Sequence, residues 1–231
     1  MAELGEPLPT GDEKVGAVRS MFDAIAPRYD LVNRIMTFGL DTRWRRRAVR
    51  SLGLKDGARV LDIACGTGDF CRDALKAGLD PIGFDLSFGM LVAAKTDVPL
   101  VQADGLRLPV ADGVADGITC GFALRNVVDI EALFREFHRV LRPGGTIAVL
   151  EVAEPERRLF RWGHRIYFHR IVPFIGGLLS DREAYAYLPR STAYLPPRPE
   201  LVELIRATGF AEATSELVAL GAAQIITGRR A

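Results

Sequence analysis

Three carboxylates, Asp62, Asp85 and Asp104, stand at the ends of successive short apolar runs. Between the first two lies Cys65-Gly66-Thr67-Gly68-Asp69, which reads as a tight turn opening a helix. Glycine has no Cβ, so such a turn bends sharply and lets the backbone approach a ligand, while the helix behind it offers unpaired N–H donors. A turn of this kind alone serves a dinucleotide, a phosphate or another nucleoside ligand. The spacing narrows the choice. Asp62 precedes Gly66 by four residues, and the third, helix-packing glycine of the pyrophosphate fingerprint is missing. Asp85 follows Gly68 by 17 residues, where a carboxylate accepts both hydroxyls of a ribose. Acidic groups at three strand ends suit an amine and a ribose better than a diphosphate.

Strands and helices must hold these groups in place. Val60, Leu61, Ile63 and Ala64 read as a buried parallel strand, followed by strands at Pro81 to Phe84, Leu100 to Ala103, Gly117 to Phe122 and Thr146 to Val152. A helix from about Ile130 to Leu141 keeps Leu133, Phe134, Phe137 and Val140 on one face, and Arg142-Pro143-Gly144-Gly145 stops it. Alternating strands and helices predict a parallel sheet with right-handed crossovers, whose ligands gather beyond the strand C-termini. The glycine turn, Asp85, Asp104 and Arg125 all fall there.

The flanks divide the chain further. Residues 1–12 read as a flexible leader, 13–52 as N-terminal helices interrupted at Pro27, 53–153 as the core, 154–198 as a helical lid insertion, and 199–231 as a helix and β-hairpin completing the core. The helix from about Asp41 to Leu52 carries Arg43, Arg45, Arg46, Arg47 and Arg50 around Trp44. It reads either as a solvated face or as a contact with an anionic membrane surface. In the lid, Arg157, Arg161, Arg165 and His169 recur every four residues, beside a separate stripe of Phe160, Tyr167, Ile171 and Phe174. That pattern suits a lid packed on the sheet, a lid resting on a membrane interface, or both.

Thirty basic residues against 29 acidic ones leave a formal charge of +1, so no global field draws nucleic acid. Cys65, Cys71 and Cys120 form no CxxC pair and no metal site, which suits a reducing cytosol. No apolar run approaches the roughly 18 residues of a membrane span, and the N-terminus lacks a signal-sequence pattern. A cytoplasmic protein is expected, with peripheral contact at the inner face of the cell membrane.

Residues 58 to 152 resemble the class I S-adenosylmethionine (AdoMet) methyltransferases, which implies an α/β, Rossmann-like sheet. The resemblance implies that Asp62 lies near the methionine amino group, Asp85 binds the ribose and Asp104 lies near the adenine, with Gly66, Thr67, Gly68, Gly105 and Gly121 also in the cofactor site. Ala64 departs from the pattern, since the superfamily often has glycine there; its small size makes the change look harmless. Longer words are more specific. Phe22-Asp23-x-Ile25-Ala26-x-Arg28-Tyr29-Asp30, Phe122-x-Leu124-Arg125-Asn126-Val127-x-Asp129, Pro173-x-Ile175-Gly176 and Tyr185-x-Tyr187-Leu188-x-x-Ser191 are similar to those of the ubiquinone/menaquinone biosynthesis C-methyltransferases. The likeness runs from about residue 15 to 228.

That family implies a prenylated hydroquinone as acceptor, with demethylmenaquinol to menaquinol preferred over a ubiquinone precursor. A phenol of pKa about 10 must lose its proton before its ring carbon attacks a methyl group. Arg125 is the first choice to stabilise the phenolate, with Asn126 positioning it. His164, His169 and Asp104 compete as base, and Tyr187 is placed to hydrogen-bond the quinol. Tyr29 either closes over the cofactor or anchors its helix. Other acceptors, a noncatalytic AdoMet-binding module and a nicotinamide-binding oxidoreductase stay as rivals. The oligomeric state, a homodimer among the options, stays open.

Overall fold

The computed structural model describes residues 10–231 and all their side chains except those of residues 158, 159, 169 and 182. In it the apolar runs become β1 (Arg59–Ile63), β2 (Asp80–Asp85), β3 (Leu100–Gln102), β4 (Ala115–Gly121) and β5 (Leu141–Val152). A C-terminal hairpin adds β6 (Phe210–Val218) and β7 (Ala223–Arg230). The seven strands form one sheet in the order β3-β2-β1-β4-β5-β7-β6. The first five pair in parallel, and β7 enters antiparallel between β5 and β6. The parallel sheet with an antiparallel edge is therefore as the sequence predicts.

Side chains of a strand alternate between the two faces, and both faces here are covered. Leu61 and Ile63 join a core with Phe134 and Phe137 of α6 (Ile130–Val140) and Ile205 of α10 (Arg198–Ala207). Val60, on the opposite face, packs with Val49 of α3 (Asp41–Ser51) and with Phe70 and Ala74 of α4 (Asp69–Lys76). Asp62 shares the face of Val60 and is fully buried beneath α4.

Two helical segments cover the ligand end of this sheet. The N-terminal one comprises α1 (Gly11–Ile25), a single 3₁₀ turn that absorbs Pro27, and α2 (Tyr29–Met36). The expected leader lies largely outside the described residues, and α1 opens at Gly11 rather than at residue 13. The lid comprises α7 (Arg158–Ile166), a π-helical turn at Tyr167–Ile171, α8 (Val172–Leu179) and α9 (Arg182–Ser191). Ile25, Ala26 and Val32 bury themselves against Ala184 and Tyr185 of the lid and Met90 of α5 (Phe88–Ala93). The N-terminal helices and the lid thus share an apolar core apart from those of the sheet.

The basic run of α3 is mainly a solvated face, with Arg43, Arg46, Arg47 and Arg50 exposed, and Arg45 is the exception. Arg45 is buried, and its guanidinium meets Asp41, Asp69 at 3.0 Å and Asp73 at 3.1 Å. Arg46 meets Asp73 at 3.2 Å and Arg47 pairs with Glu216. Trp44 packs against the second sheet core. Arg45 clamps α3 to α4, because a buried cation is tolerated only where carboxylates surround it.

Candidate functional site

The turn after β1 is built by backbone conformation. Ala64, Gly66 and Gly68 all take positive φ, at 54°, 54° and 80°. For alanine this left-handed geometry costs roughly 1–2 kcal/mol. Position 64 therefore favours glycine because of its backbone and not its volume, which corrects the reading from size. At the end of β4, Gly121 meets a different demand: a Cβ there would lie 2.7 Å from Cε2 of Phe70.

Asp85 organises the strand ends around this turn. Its Oδ2 accepts the Gly66 N–H at 2.7 Å and its Oδ1 accepts the Ser87 N–H at 2.8 Å. Ser87 in turn donates its hydroxyl to Asp23 of α1 at 2.6 Å, and Asp23 also accepts the Gly89 N–H at 2.8 Å. A hydrogen-bonded chain thus runs from the turn to the covering helix. Burial raises the Asp85 carboxyl above its usual range, and the two N–H donors oppose that rise. Asp62 is fully buried one step behind these groups. It accepts from Thr119 Oγ1 at 2.9 Å and Cys71 Sγ at 3.3 Å, lies behind the turn, and lines neither cavity described below. Burial lifts its pKa to about 7, its hydrogen bonds opposing.

Two cavities meet at the turn. The first runs along the ends of β1, β2 and β4 under α1, and brings together Gly66, Asp85, Asp104, Gly105, Gly121 and Asn126. Met90, Leu86 and Leu106 add flat apolar walls. The second, the larger at about 1380 Å³ of empty space against 960 Å³, lies between α2, α3 and the lid. Gly66, Thr67, Gly121, Arg125 and His164 line it, among mainly apolar neighbours. Ala64, Gly66, Gly121, Phe122, Phe22 and Tyr29 belong to both walls. Tyr29 therefore stands at the junction, its ring edge-on to Phe22 at 6.0 Å. Phe122 also sits at positive φ, 56°, and sparsely populated backbone of this kind concentrates at functional sites. Thr67 donates to Asp30 of α2 at 2.5 Å, fastening the turn to the N-terminal helices.

The expected acceptor residues separate. Arg125 lines the second cavity, but its guanidinium is already paired with Glu151 of β5 at 2.5 Å, a partner that spacing in the sequence does not signal. His164 lines the same cavity and stacks on Phe168 at 5.3 Å, whereas Asp104 lines the first cavity. The side chain of His169 lies outside the described residues. Tyr187 lines neither cavity. Its hydroxyl is buried without a partner, and burial pushes its pKa up to about 12, so it keeps its proton at neutral pH. Asn126 reaches the Phe122 carbonyl at 3.4 Å, and its Oδ1 is likewise buried and unpartnered. Gly68 lines neither cavity and shapes the turn from behind.

The first cavity fits a nucleoside: a carboxylate with accepting capacity beyond its two backbone donors, apolar walls for a base, and glycine backbone at close approach. A second cavity for an acceptor opens from the same turn. Together with the sheet, this defines a class I AdoMet-dependent methyltransferase. The chain belongs to the ubiE/COQ5 methyltransferase family, which it matches over residues 9–230. It is 46% identical over 230 residues to a demethylmenaquinone methyltransferase of Roseiflexus sp. (strain RS-1), covering 96% of each chain. It is 41% identical to one from Thermus thermophilus, covering 91% of this chain and 100% of that one. A ubiquinone/menaquinone biosynthesis C-methyltransferase of Geobacter sulfurreducens is 38% identical, over 94% of this chain and 90% of that one. Among solved structures, a SAM-dependent methyltransferase from Thermotoga maritima superimposes with a TM-score of 0.65 at 20% identity, over 92% and 99% of the two chains. A Haemonchus contortus phosphoethanolamine N-methyltransferase 2 in complex with S-adenosyl-L-methionine has a TM-score of 0.56 at 22% identity, over 75% and 38%. These two likenesses concern the fold.

Removing the Asp85 carboxylate by Asp85→Ala should weaken AdoMet binding at least about tenfold in calorimetry, since a hydrogen bond to a charged group contributes about 1.5–3 kcal/mol. Unchanged affinity would take Asp85 out of the cofactor site. The folded pKa of Asp62, about 7, lies above the ordinary value of 3.8. Stability contributed by its neutral carboxyl is therefore complete below about pH 4 and is lost as the pH rises through about 7. In Asp62→Asn the urea midpoint should fall less between those pH values than in the native chain. An equally steep fall in both proteins would assign the slope to other groups.

Proposed function

We propose that the enzyme methylates a ring carbon of a prenylated naphthoquinol, converting demethylmenaquinol to menaquinol. The names of its relatives support this acceptor class, and a group of unpaired polar atoms around Arg125 carries the reading further. Arg125 Nε on the wall of the second cavity, Asn126 Oδ1 on the wall of the first, and Glu151 Oε2 and Tyr187 Oη, whose residues line neither, are all buried without a hydrogen-bond partner. Buried polar atoms are rarely left unpaired, so this grouping suits a largely apolar ligand that brings its own hydroxyl groups. A hydroquinone with an isoprenoid tail has that composition.

The bound cofactor supplies a methyl already activated by its sulfonium, with a neutral thioether as leaving group, so no acid is needed for departure. The chain's task is to ionise and orient the acceptor. Arg125 offers charge-assisted donors to the developing phenolate. Asn126, on the same 3₁₀ turn, lines the first cavity and positions Arg125 from there, while Tyr187, which lines neither cavity, keeps its proton at neutral pH and supports Arg125 from behind the wall. His164 is the preferred base, directly or through water, because Asp104 belongs to the nucleoside cavity. Once the carbon–carbon bond has formed, the ring carbon releases its proton and the aromatic quinol is restored. Asp85, Asp104, Gly66, Thr67, Gly105 and Gly121 serve the cofactor, while Asp62 and Gly68 support them from behind.

We also place the working enzyme at a membrane surface. Leu31, Ile35 and Phe38 are exposed on and after α2, as are Trp162, Phe174 and Leu178 on the lid. The two groups adjoin: α2 packs on α8, and Phe38 lies 6.0 Å from the Tyr167 ring, whose hydroxyl donates to the Met36 carbonyl at 2.5 Å. Phe38 is 78% exposed at a positive φ, 53°, an uncommon geometry for a phenylalanine. Exposed Arg34, Arg165 and Arg170 flank these side chains, a charge pattern that complements anionic lipid. Met36, Tyr167 and Val172 of the same segments line the second cavity, so an isoprenoid tail has a short route inward. Among the described residues no helix is long and apolar enough to cross a membrane.

Labelled AdoMet offered with reduced demethylmenaquinone and, separately, a reduced ubiquinone precursor should give ring-carbon methylation of the naphthoquinol, located by mass spectrometry. Methylation of the benzoquinol alone would change the acceptor, and transfer to neither would remove the quinol reading. The double variant Phe38→Ser, Phe174→Ser should lose most of its co-sedimentation with phosphatidylglycerol vesicles while methylating a short-tailed quinol normally. If the native chain ignores vesicles but sediments as a dimer that the double variant abolishes, the apolar face belongs to a homodimer instead.

A further inference from the structure

The ion pair beneath the acceptor cavity has an unusual construction. The Glu151 side chain is wholly buried in the sheet on β5 and that of Arg125 is 6% exposed. Arg125 Nη1 meets Glu151 Oε1 at 2.5 Å, and the same oxygen accepts the Val152 N–H at 2.9 Å. The other carboxylate oxygen, Oε2, and the guanidinium Nε have no partner. Arg125 lines the second cavity and Glu151 does not, so the carboxylate stands behind the cation.

Stability explains this pair poorly. Buried Arg–carboxylate pairs gain most when both partners are fully hydrogen-bonded, as in fork-to-fork geometry. Apolar residues of similar volume commonly serve a core as well as such a pair does or better. Here only one carboxylate oxygen is used, although each unpaired buried atom adds a desolvation penalty. The arrangement makes better sense for a cation that must stay in place while keeping donor capacity for a ligand. With Glu151 behind it the wall is formally neutral, which suits a neutral quinol on arrival, and the Arg125 donors then meet negative charge as it forms.

We propose that Glu151 is a positioning residue for methyl transfer, acting only through Arg125: it fixes the guanidinium in the acceptor cavity and balances its charge until the phenolate forms. The inference rests on the acceptor role given to Arg125 under the proposed function. A four-protein cycle tests it: the native chain, Glu151→Gln, Arg125→Gln and the double variant, each assayed for methylation of a short-tailed demethylmenaquinol and for AdoMet binding by calorimetry. Glu151→Gln should lower kcat by about tenfold or more, with AdoMet affinity and the quinol KM changed less than about twofold. Residues acting through one another are not additive, so the double variant should match Arg125→Gln within about twofold. Native turnover in Glu151→Gln, or a double variant slower than Arg125→Gln by the full Glu151→Gln factor, overturns the proposal. If Glu151→Gln does not fold, the double variant, which buries neither charge, decides alone: equality with Arg125→Gln supports the coupling and a further loss of about tenfold refutes it. If Arg125→Gln loses turnover while Glu151→Gln keeps it, the positioning inference alone has failed; if Arg125→Gln turns over normally, the role given to Arg125 has failed with it.

Discussion

The contact on which the site depends is the hydrogen bond from the Gly66 amide to the Asp85 carboxylate. It joins the turn after one strand to the end of its neighbour, so both the glycine backbone and the carboxylate that line the first cavity are held by a single interaction. A carboxylate so used remains able to accept more hydrogen bonds, so bracing the turn does not exhaust it. The unfavourable φ of Ala64 is tolerated here because the parallel pairing of β1 with β2 and β4 holds the strand from both sides.

Around that contact the chain makes two compartments with a common wall. The strand ends line the first, and the N-terminal helices and lid line much of the second. Their separate apolar core, with Met90 as the contribution of α5, couples the two halves mechanically. The chain Gly66, Asp85, Ser87, Asp23 extends the coupling into α1. Methyl transfer needs a donor and an acceptor in line with water excluded, and the two cavities share Gly66, Gly121 and Tyr29 in their walls.

Charge is used sparingly and in layers. The α3 arginines, conspicuous in the sequence, are largely committed to Asp41, Asp69, Asp73 and Glu216. Arg125, which lines the second cavity, comes from a short 3₁₀ turn and is balanced from within the sheet by Glu151. The apolar face beside the acceptor cavity is instead flanked by exposed arginines of α2 and the lid.

The alternating sheet, the glycine turn, the strand-end acids Asp85 and Asp104 and the helix at 130–141 were legible in the sequence. Each of these is a local matter of periodicity, of backbone freedom, or of a residue's place at the end of an apolar run. Tertiary structure alone decided the rest. Asp62 looked equivalent to the other two acids until β1 alternation turned it toward Cys71 and Thr119. Ala64 looked neutral by size, and its positive φ becomes visible only once the turn is formed. Glu151 lies 26 residues from Arg125 and meets it only because β5 pairs beside β4. The arginine run of α3 could not announce its partners, since Asp69, Asp73 and Glu216 arrive from distant elements. Which charges are buried together depends on how the layers stack, and local sequence pattern carries no record of that.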